Sequence, residues 1–259
     1  MTSESMLSEK SLKNYKGHRI FAIDGTELEL ANSNELTDYF GKARSTTSPR
    51  AKASVLCDVI NGSIIHAEIA SSHSAERDLA IKHLEYFKKH ITRNDIVIFD
   101  RGYPSKKLIG YSIKNNITFL MRVSKSFNFE IDNTNEKDFD IYLENDRVRL
   151  EIRVIKLVLE TGEIETLITN IDRRVFKQDA FMELYFLRWG IETRYDVIKN
   201  KLQIEDFSGK TVVSVLQDFY ATMYLCNICH KFQKVVQQDF LRILESFTSR
   251  LKRKKLQNT

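Results

Sequence analysis

The chain has 259 residues, of which 42% are hydrophobic and 29% charged, with a net charge of +5. This composition is typical of a soluble globular protein with one large or two small domains, and it excludes a disordered chain. The mild positive charge is compatible with an anionic partner but does not require one. The three cysteines do not suggest a disulfide framework. The sequence opens without a secretory signal, and no apolar run approaches the ~20 residues of a membrane span, so we expect a cytoplasmic protein with no membrane partner.

Strands and helices alternate in the first half of the chain. Apolar runs bounded by turn residues predict the strands, and apolar residues at helical spacing predict the helices. In chain order we expect a strand in 18–30, a polar basic loop at 41–52, a hairpin in 53–71, a helix at 74–90, a strand opening 95–105, a helix at 104–115 and a strand at 117–123. Asn61-Gly62 is the predicted hairpin turn and Ser74 the candidate helix N-cap.

The second half begins with a strand-rich stretch at 126–170, where "RVRLEIRVIKLVLE" alternates with period 2. Phe127 and Phe129 alternate there on a predicted strand, a pattern more typical of core than of a base-stacking surface. Two long helices, about 176–206 and 211–245, and a basic tail at 250–255 follow. The second helix contains "CNICH" at 226–230, which has the spacing of a haem attachment site. Its surroundings are apolar at helical intervals, so a buried helix with two small cysteines is the better interpretation.

Two aspartates stand at the predicted ends of strands. Asp24 closes the apolar run Ile20 to Ile23 and precedes a predicted turn at Gly25, and Asp100 follows Ile96 to Phe99. Taken alone, an aspartate at such a position more often bonds the local backbone than performs chemistry. Residues that end neighbouring strands nevertheless meet in space, and a packed helix can add a third group.

A late helix carries that third group. In "YFLRWGIETRYDVIKNKL" (185–202), Tyr185, Arg188, Glu192 and Lys199 fall within a sector about 60° wide at 100° per residue, beside an apolar stripe. Arg188 and Glu192 alone would be an ordinary surface pair, and Lys199 alone an exposed lysine. Asp196 lies nearby on the same helix, where a solvated or lysine-paired role is the more typical one.

Three carboxylates without a histidine or cysteine cluster favour hard, oxygen-preferring cations such as Mg²⁺ or Mn²⁺. Two such ions ~3.5–4 Å apart can clamp the attacking and leaving oxygens of a phosphodiester displacement. Asp24, Asp100 and Glu192 are therefore the candidate catalytic residues and metal ligands. Tyr185, Arg188 and Lys199 are the candidate contacts to the phosphates that flank the scissile bond of a nucleic acid, and the resemblance described next implies that they contact DNA ends. His66 and His73 have no partners at metal-ligand spacing.

The motifs "AIDGT" (22–26), "FDRGY" (99–103) and "YFLRWGIETRYDVIKNK" (185–201) resemble the first-Asp, second-Asp and Y-x2-R-x3-E-x6-K signatures of bacterial DDE transposases of the insertion-sequence-four type. The resemblance covers roughly 18–209. It implies an α/β, ribonuclease-H-like mixed sheet flanked by helices, with a β-rich insertion between the second catalytic Asp and the catalytic Glu. It also implies two divalent ions, hydrolysis at transposon ends, and attack of the freed 3′-hydroxyl on target DNA. The implied partners are double-stranded DNA and a second copy in a paired-end homodimer.

The resulting domain scheme has five parts: a disordered or residual N-terminal segment at 1–17, the first part of the catalytic core at 18–123, the β-rich insertion at 124–172, the C-terminal helices of the core at 173–249 and a basic tail at 250–259. Family members carry a substantial N-terminal region that recognises transposon ends, so a truncated chain is expected. Two alternatives stay open: a catalytically silent DNA-binding remnant and a general nuclease. Some relatives form a DNA hairpin and hold a flipped base against an aromatic residue of the insertion, whereas the only tryptophan here, Trp189, lies on the catalytic helix.

Overall fold

The computed structural model describes residues 12–42, 47–145, 148–201 and 203–257, so most of the predicted N-terminal segment lies outside the described residues. The strands are β1 (Arg19–Glu29), β2 (Arg50–Asp58), β3 (Ser63–Ser71), β4 (Asp95–Phe99), β5 (Thr118–Val123), β6 (Asp138–Asn145), β7 (Val148–Val158) and β8 (Ile164–Thr169). The helices are α1 (Asn34–Phe40), α2 (Glu76–Phe87), α3 (Lys106–Lys114), α4 (Phe129–Asn133), α5 (Ala180–Phe186), α6 (Trp189–Asp196) and α7 (Val212–Gln257). A π-helical turn, Val197–Lys201, directly follows α6.

These eight strands form one mixed sheet in the order β3-β2-β1-β4-β5-β8-β7-β6. The β1–β4 and β4–β5 pairs are parallel, and the other five pairs are antiparallel. The predicted mixed α/β class is therefore confirmed. The β-rich segment continues this sheet, because residues 166–169 of β8 pair with residues 120–123 of β5, and β7 and β6 follow in turn.

Helices cover both faces of the sheet, so the side chains on both faces of β1 are buried. Phe21 and Ile23 point to the face where α2 and α3 pack, whereas Ile20 and Ala22 point to the opposite face, which α5, α6 and α7 cover. A strand buried on both sides needs apolar residues at successive positions, which explains the continuous apolar runs in the sequence. Full burial of a side chain such as Ile20, Phe21 or Ile23 contributes about 1.5–3 kcal/mol.

The predicted turn at Gly25 is wrong. β1 continues past Asp24 to Glu29 because β2 remains paired with it, with Gly25 opposite Ser54. β4, on the other side of β1, pairs only as far as Phe99 opposite Ile23. Asp24 therefore lies inside a strand, at the point where one of its two neighbouring strands ends.

Three other local predictions differ from the structure. The loop prediction at 41–52 is wrong at its end, since β2 begins at Arg50, and its residues 43–46 lie outside the described residues. Phe129 is not a core residue on a strand; it opens α4 and is 84% exposed. Ser74 is not an N-cap, because α2 is preceded by Ala75 with no side-chain cap.

The predicted helix at 176–206 is broken into α5, α6 and the π turn. Gly190 lets α6 approach the sheet closely, since a Cβ there would lie 2.8 Å from the carbonyl oxygen of Val59. α7 continues to Gln257, so the predicted basic tail lies largely on this helix. Within it Cys226 is buried as expected, but Cys229 is exposed.

By length and composition alone, the part of α7 from Val212 to Gln233 could cross a membrane. This is weak evidence, because core helices of soluble proteins meet the same criterion. Val215, Phe219 and Met223 on this helix pack into the core against the sheet. The absence of a membrane partner stays a prediction.

Candidate active site

The first two acids lie side by side at the end of the parallel strand pair. Ile23 pairs with Phe99, and Asp24 and Asp100 are the next residues on β1 and β4. Side chains alternate between the faces of a sheet, so both aspartates are in phase with residues that face α5 and α6. The sheet thus brings together two carboxylates that lie far apart in sequence.

Asp24 is held by its backbone and has an unfavourable environment for its charge. Its carbonyl oxygen accepts hydrogen bonds from the hydroxyls of Tyr195 (2.6 Å) and Ser54 (3.1 Å). The pKa of Asp24 is raised to about 6, mainly by burial; the Gly25 amide and the Arg188 guanidinium act to lower it, and the charges of Asp100 and Glu76 act to raise it. The site therefore favours binding of a cation.

Asp100 is better compensated. Burial acts to raise its pKa, but the backbone amide of Arg101, the charge of Arg188 and the hydroxyl of Tyr185 outweigh it, so the net shift is downward. The Tyr185 hydroxyl donates to Asp100 Oδ1 at 3.0 Å. The pKa of Tyr185 is raised, first by burial and then by the Asp100 charge. Tyr185 is thus a hydrogen-bond donor fixed on the second acid.

Arg188 connects the three predicted acids. It is 7% exposed, and its Nη2 donates to Glu192 Oε1 at 2.7 Å. Its charge also acts on Asp24 and Asp100. Burial acts to lower the pKa of Arg188, but Tyr185 and the acids around it raise it overall. Its Nε has no hydrogen-bond partner among the described residues. Of the predicted stripe, Tyr185 and Arg188 therefore lie beside the aspartates, and Glu192 is bonded to Arg188.

Lys199 lies apart from the acids. Its Nζ donates to the carbonyl oxygen of Glu27, further along β1, at 2.9 Å. Together with the Tyr195 bond to Asp24, this contact ties α6 and the π turn to the backbone of β1. Asp196 is exposed and accepts a hydrogen bond from Asn200, consistent with the solvated role. Single π turns inside helices are frequent at functional sites.

Several residues that lie beside the site in the structure were not predicted from the sequence. Tyr103 belongs to the "FDRGY" motif, but nothing marked its side chain as reaching the acids. Glu76 opens α2 without any motif, yet its charge acts on Asp24. His83 is buried behind the site, where it contacts His66 at 2.8 Å and the Ser54 hydroxyl at 3.0 Å. Only the fold brings Glu76 and Tyr103 near Asp24, and His83 onto Ser54, whose hydroxyl donates to the Asp24 carbonyl oxygen.

The donor chemistry fits a divalent cation. Carboxylate oxygens are the ligands that Mg²⁺ and Mn²⁺ prefer, and the raised pKa of Asp24 reflects burial next to a second acid. In this structure no three His, Cys, Asp or Glu side chains of the described residues are gathered closely enough to hold one ion. Asp24 and Asp100 are neighbours, but the Glu192 carboxylate is bonded to Arg188.

Comparison with known proteins identifies the family. Residues 15–228 match the family "Transposase DDE domain", which is most of the chain, so the chain belongs to the DDE transposase family. DDE transposase domains generally use divalent metals. No curated protein matches the chain.

Solved structures extend the comparison to the fold. A piggyBac transposase synaptic complex with hairpin DNA has a TM-score of 0.55 and 10% identity, covering 85% of this chain and 48% of that one. The chain thus spans about half the length of that transposase. An endonuclease V from Ciona intestinalis, bound to a 24mer DNA containing inosine, has a TM-score of 0.30 and 6% identity, covering 59% of this chain and 70% of that one. The piggyBac likeness shows a shared fold.

Proposed function

We propose that this chain is the catalytic core of a DNA transposase of the insertion-sequence-four type, which hydrolyses phosphodiester bonds at transposon ends and joins the freed 3′-hydroxyl to target DNA. The observation that carries the proposal is that Asp24 and Asp100 lie side by side at the end of the β1–β4 pairing, where the charge of the buried Arg188 acts on both and its guanidinium is bonded to Glu192. The family match and the fold shared with a transposase support it.

The strand arrangement supports a ribonuclease-H-like core. Its first five strands run in the order β3-β2-β1-β4-β5, with β1 to β3 antiparallel and β1, β4 and β5 parallel. In this proposal β6 to β8 correspond to the β-rich insertion between the second Asp and the Glu. Double-stranded DNA and a second copy of the chain are the proposed partners, in the bacterial cytoplasm.

Asp24 and Asp100 would hold the divalent ions, proposed as two Mg²⁺ or Mn²⁺. Such ions supply charge stabilisation for the attacking and leaving oxygens when bound. The Glu192 carboxylate can bind such an ion together with the aspartates only when it gives up its hydrogen bond to Arg188. That exchange releases a guanidinium able to bind a DNA phosphate bidentately, beside the Tyr185 hydroxyl.

Lys199 is proposed to contact DNA as a point charge. It is partly exposed, and its present partner is a backbone carbonyl rather than a carboxylate. A phosphate offers a stronger, charge-assisted acceptor for the same ammonium group.

The test is cleavage of supercoiled plasmid, and of duplexes bearing candidate ends, in Mg²⁺, Mn²⁺ or EDTA. Glu192→Gln should abolish metal-dependent product while its circular dichroism stays that of the parent protein. Asp196→Asn, one turn further along and exposed, is the matched control and should remain active. Full activity of Glu192→Gln would refute the proposed role.

A catalytically silent DNA-binding remnant is the second candidate, favoured by the 2.7 Å bond that holds Glu192 on Arg188. It predicts binding that is sensitive to salt and indifferent to sequence, with no product in any metal. A general nuclease would instead cut at arbitrary sites and never join 3′-ends to target. Joining that is specific to transposon ends excludes both.

A further inference from the structure

A fourth carboxylate, that of Glu76, lies beside the strand ends that carry Asp24 and Asp100. Its Cγ is 3.8 Å from the position that a Cβ on Gly25 would take, and its Oε2 is 3.7 Å from the corresponding position at Gly102. Gly25 directly follows the first aspartate, and Gly102 comes two residues after the second. The Glu76 side chain therefore lies within van der Waals distance of a Cβ position on each of the two aspartate-bearing segments.

The buried hydroxyl of Tyr103, which has no acceptor among the described residues, also lies near Gly25. The side chain of Tyr103 is 2% exposed, and its hydroxyl has no hydrogen-bond partner among the described residues. That hydroxyl lies 3.7 Å from the same Cβ position at Gly25. Burial raises the pKa of Tyr103, and the charges of Asp24, Glu76 and Asp100 raise it further, so the hydroxyl keeps its proton. A buried hydroxyl without a partner is unfavourable, so its position points to a bound group that offers an oxygen lone pair.

We propose that Glu76 is an additional ligand of the divalent cation held by Asp24 and Asp100, and that the Tyr103 hydroxyl donates to a water molecule bound to that ion. The inference rests on the proposed function, since it concerns the same site. Mg²⁺ demands six oxygen ligands and usually keeps several waters, which leaves room for a further carboxylate and a water.

Little holds Glu76 in its present position. Its side chain is 43% exposed, and its ion-pair partner, Lys52, is 3.9 Å away, beyond hydrogen-bonding distance. Because the described acids are not gathered around one point, ligation requires the Glu76 side chain to rotate toward the aspartates. A long side chain at the first residue of a helix has the freedom to do so.

The experiment measures Mn²⁺ binding to the full chain without DNA, from the loss of the free-ion electron paramagnetic resonance signal. Glu76→Gln should weaken binding about tenfold or more, because it removes a charged ligand. Asp78→Asn is the matched control on the same helix, since Asp78 is exposed and paired with Lys107 at 2.8 Å. It should change the affinity by less than about twofold. Asp24→Asn should remove the site, and circular dichroism checks that each variant is folded.

A second variant tests the hydroxyl. Tyr103→Phe removes no hydrogen bond from the metal-free protein, so its urea midpoint in EDTA should be unchanged or higher. The increase in midpoint that Mn²⁺ produces should be smaller than in the parent protein.

The outcomes separate the two proposals. If Glu76→Gln binds Mn²⁺ like the parent while Asp24→Asn does not, the role of Glu76 is refuted and the aspartate site stands. If Asp24→Asn also binds like the parent, the metal site is elsewhere and the proposed function falls with it. Equal loss in Glu76→Gln and Asp78→Asn would show a general charge effect and would also overturn the inference.

Discussion

Replacing Asp24 by Asn should make the metal-free protein more stable. Raising the pKa of a carboxyl from 3.8 to about 6 means that its charged form costs the fold about 3 kcal/mol at neutral pH. Asparagine has nearly the same shape, and its amide oxygen can still accept the 2.9 Å bond from the Gly25 amide. The variant therefore removes the cost and keeps the local geometry. We expect a gain in unfolding free energy of up to about 3 kcal/mol at pH 7 in EDTA.

The pH dependence provides an independent check of the sign. A carboxyl whose pKa is raised on folding favours the folded state below its unfolded pKa, and this advantage is lost as the pH rises through about 6. Between pH 7 and pH 5, the parent protein should therefore gain about 1 kcal/mol relative to Asp24→Asn. Urea unfolding followed by circular dichroism measures both quantities.

Asp196→Asn is the control, because that acid is exposed and should show neither effect. Under the proposed function, addition of Mg²⁺ should stabilise the parent protein and leave Asp24→Asn unchanged, since only the parent keeps the proposed charged ligand. A variant that is less stable than the parent at pH 7, with the same pH slope, would refute the reasoning.

Three further predictions concern the surroundings of the site. Tyr195→Phe removes the 2.6 Å bond to the Asp24 carbonyl and should lower the unfolding free energy by about 1 kcal/mol in chemical denaturation; an unchanged midpoint would contradict this contact. Gly190→Ala places a Cβ 2.8 Å from the Val59 carbonyl oxygen, so α6 must shift, and a loss of about 1–3 kcal/mol with reduced cleavage is expected in thermal melts and plasmid assays. The pKa of His83 is lowered from 6.5 to about 3, mainly by burial. Its contribution to the unfolding free energy is therefore fully present above pH 6.5 and is lost on acidification, by about 2 kcal/mol at pH 5. Nuclear magnetic resonance titration should show the His83 ring neutral at pH 5, and a protonated ring there would contradict its burial.

The sequence predicted the parts of the fold that depend on local pattern. Continuous apolar runs gave β1 and β4, and Asn61-Gly62 gave the turn between β2 and β3, where Gly62 has a φ of +67°. The parts that depend on pairing were harder to foresee. The sequence around Gly25 predicted the end of a strand, but β1 continues through it because it stays paired with β2. Gly25 lies opposite Ser54, a residue far away in sequence, so no local pattern could reveal this pairing.

The candidate site also has a part that the local sequence pattern predicted and a part that it did not. The helical stripe correctly placed Tyr185 and Arg188 beside the aspartates, because the 3.6-residue period fixes which side chains share a face. The same period allowed an Arg188–Glu192 pair, but it could not show that Arg188 is buried or that Lys199 reaches a carbonyl of β1. Glu76 and Tyr103 come near Asp24 only through the packing of α2 and of the segment after β4. Glu76 belongs to no motif, and the "FDRGY" motif does not show where the Tyr103 hydroxyl lies.

The anchoring of α6 has a practical consequence. Tyr195 and Lys199 grip main-chain oxygens of β1, at Asp24 and Glu27, and every amino acid supplies a main-chain oxygen. The acidic side chains and the attachment of α6 can therefore be altered independently, because replacing an acid by its amide leaves the Tyr195 and Lys199 hydrogen bonds to β1 in place. Variants neutralised at the proposed catalytic residues Asp24 or Glu192 should stay folded and suit attempts to trap the proposed DNA complex, whereas Tyr195→Phe should loosen the attachment of α6 and leave every acid in place.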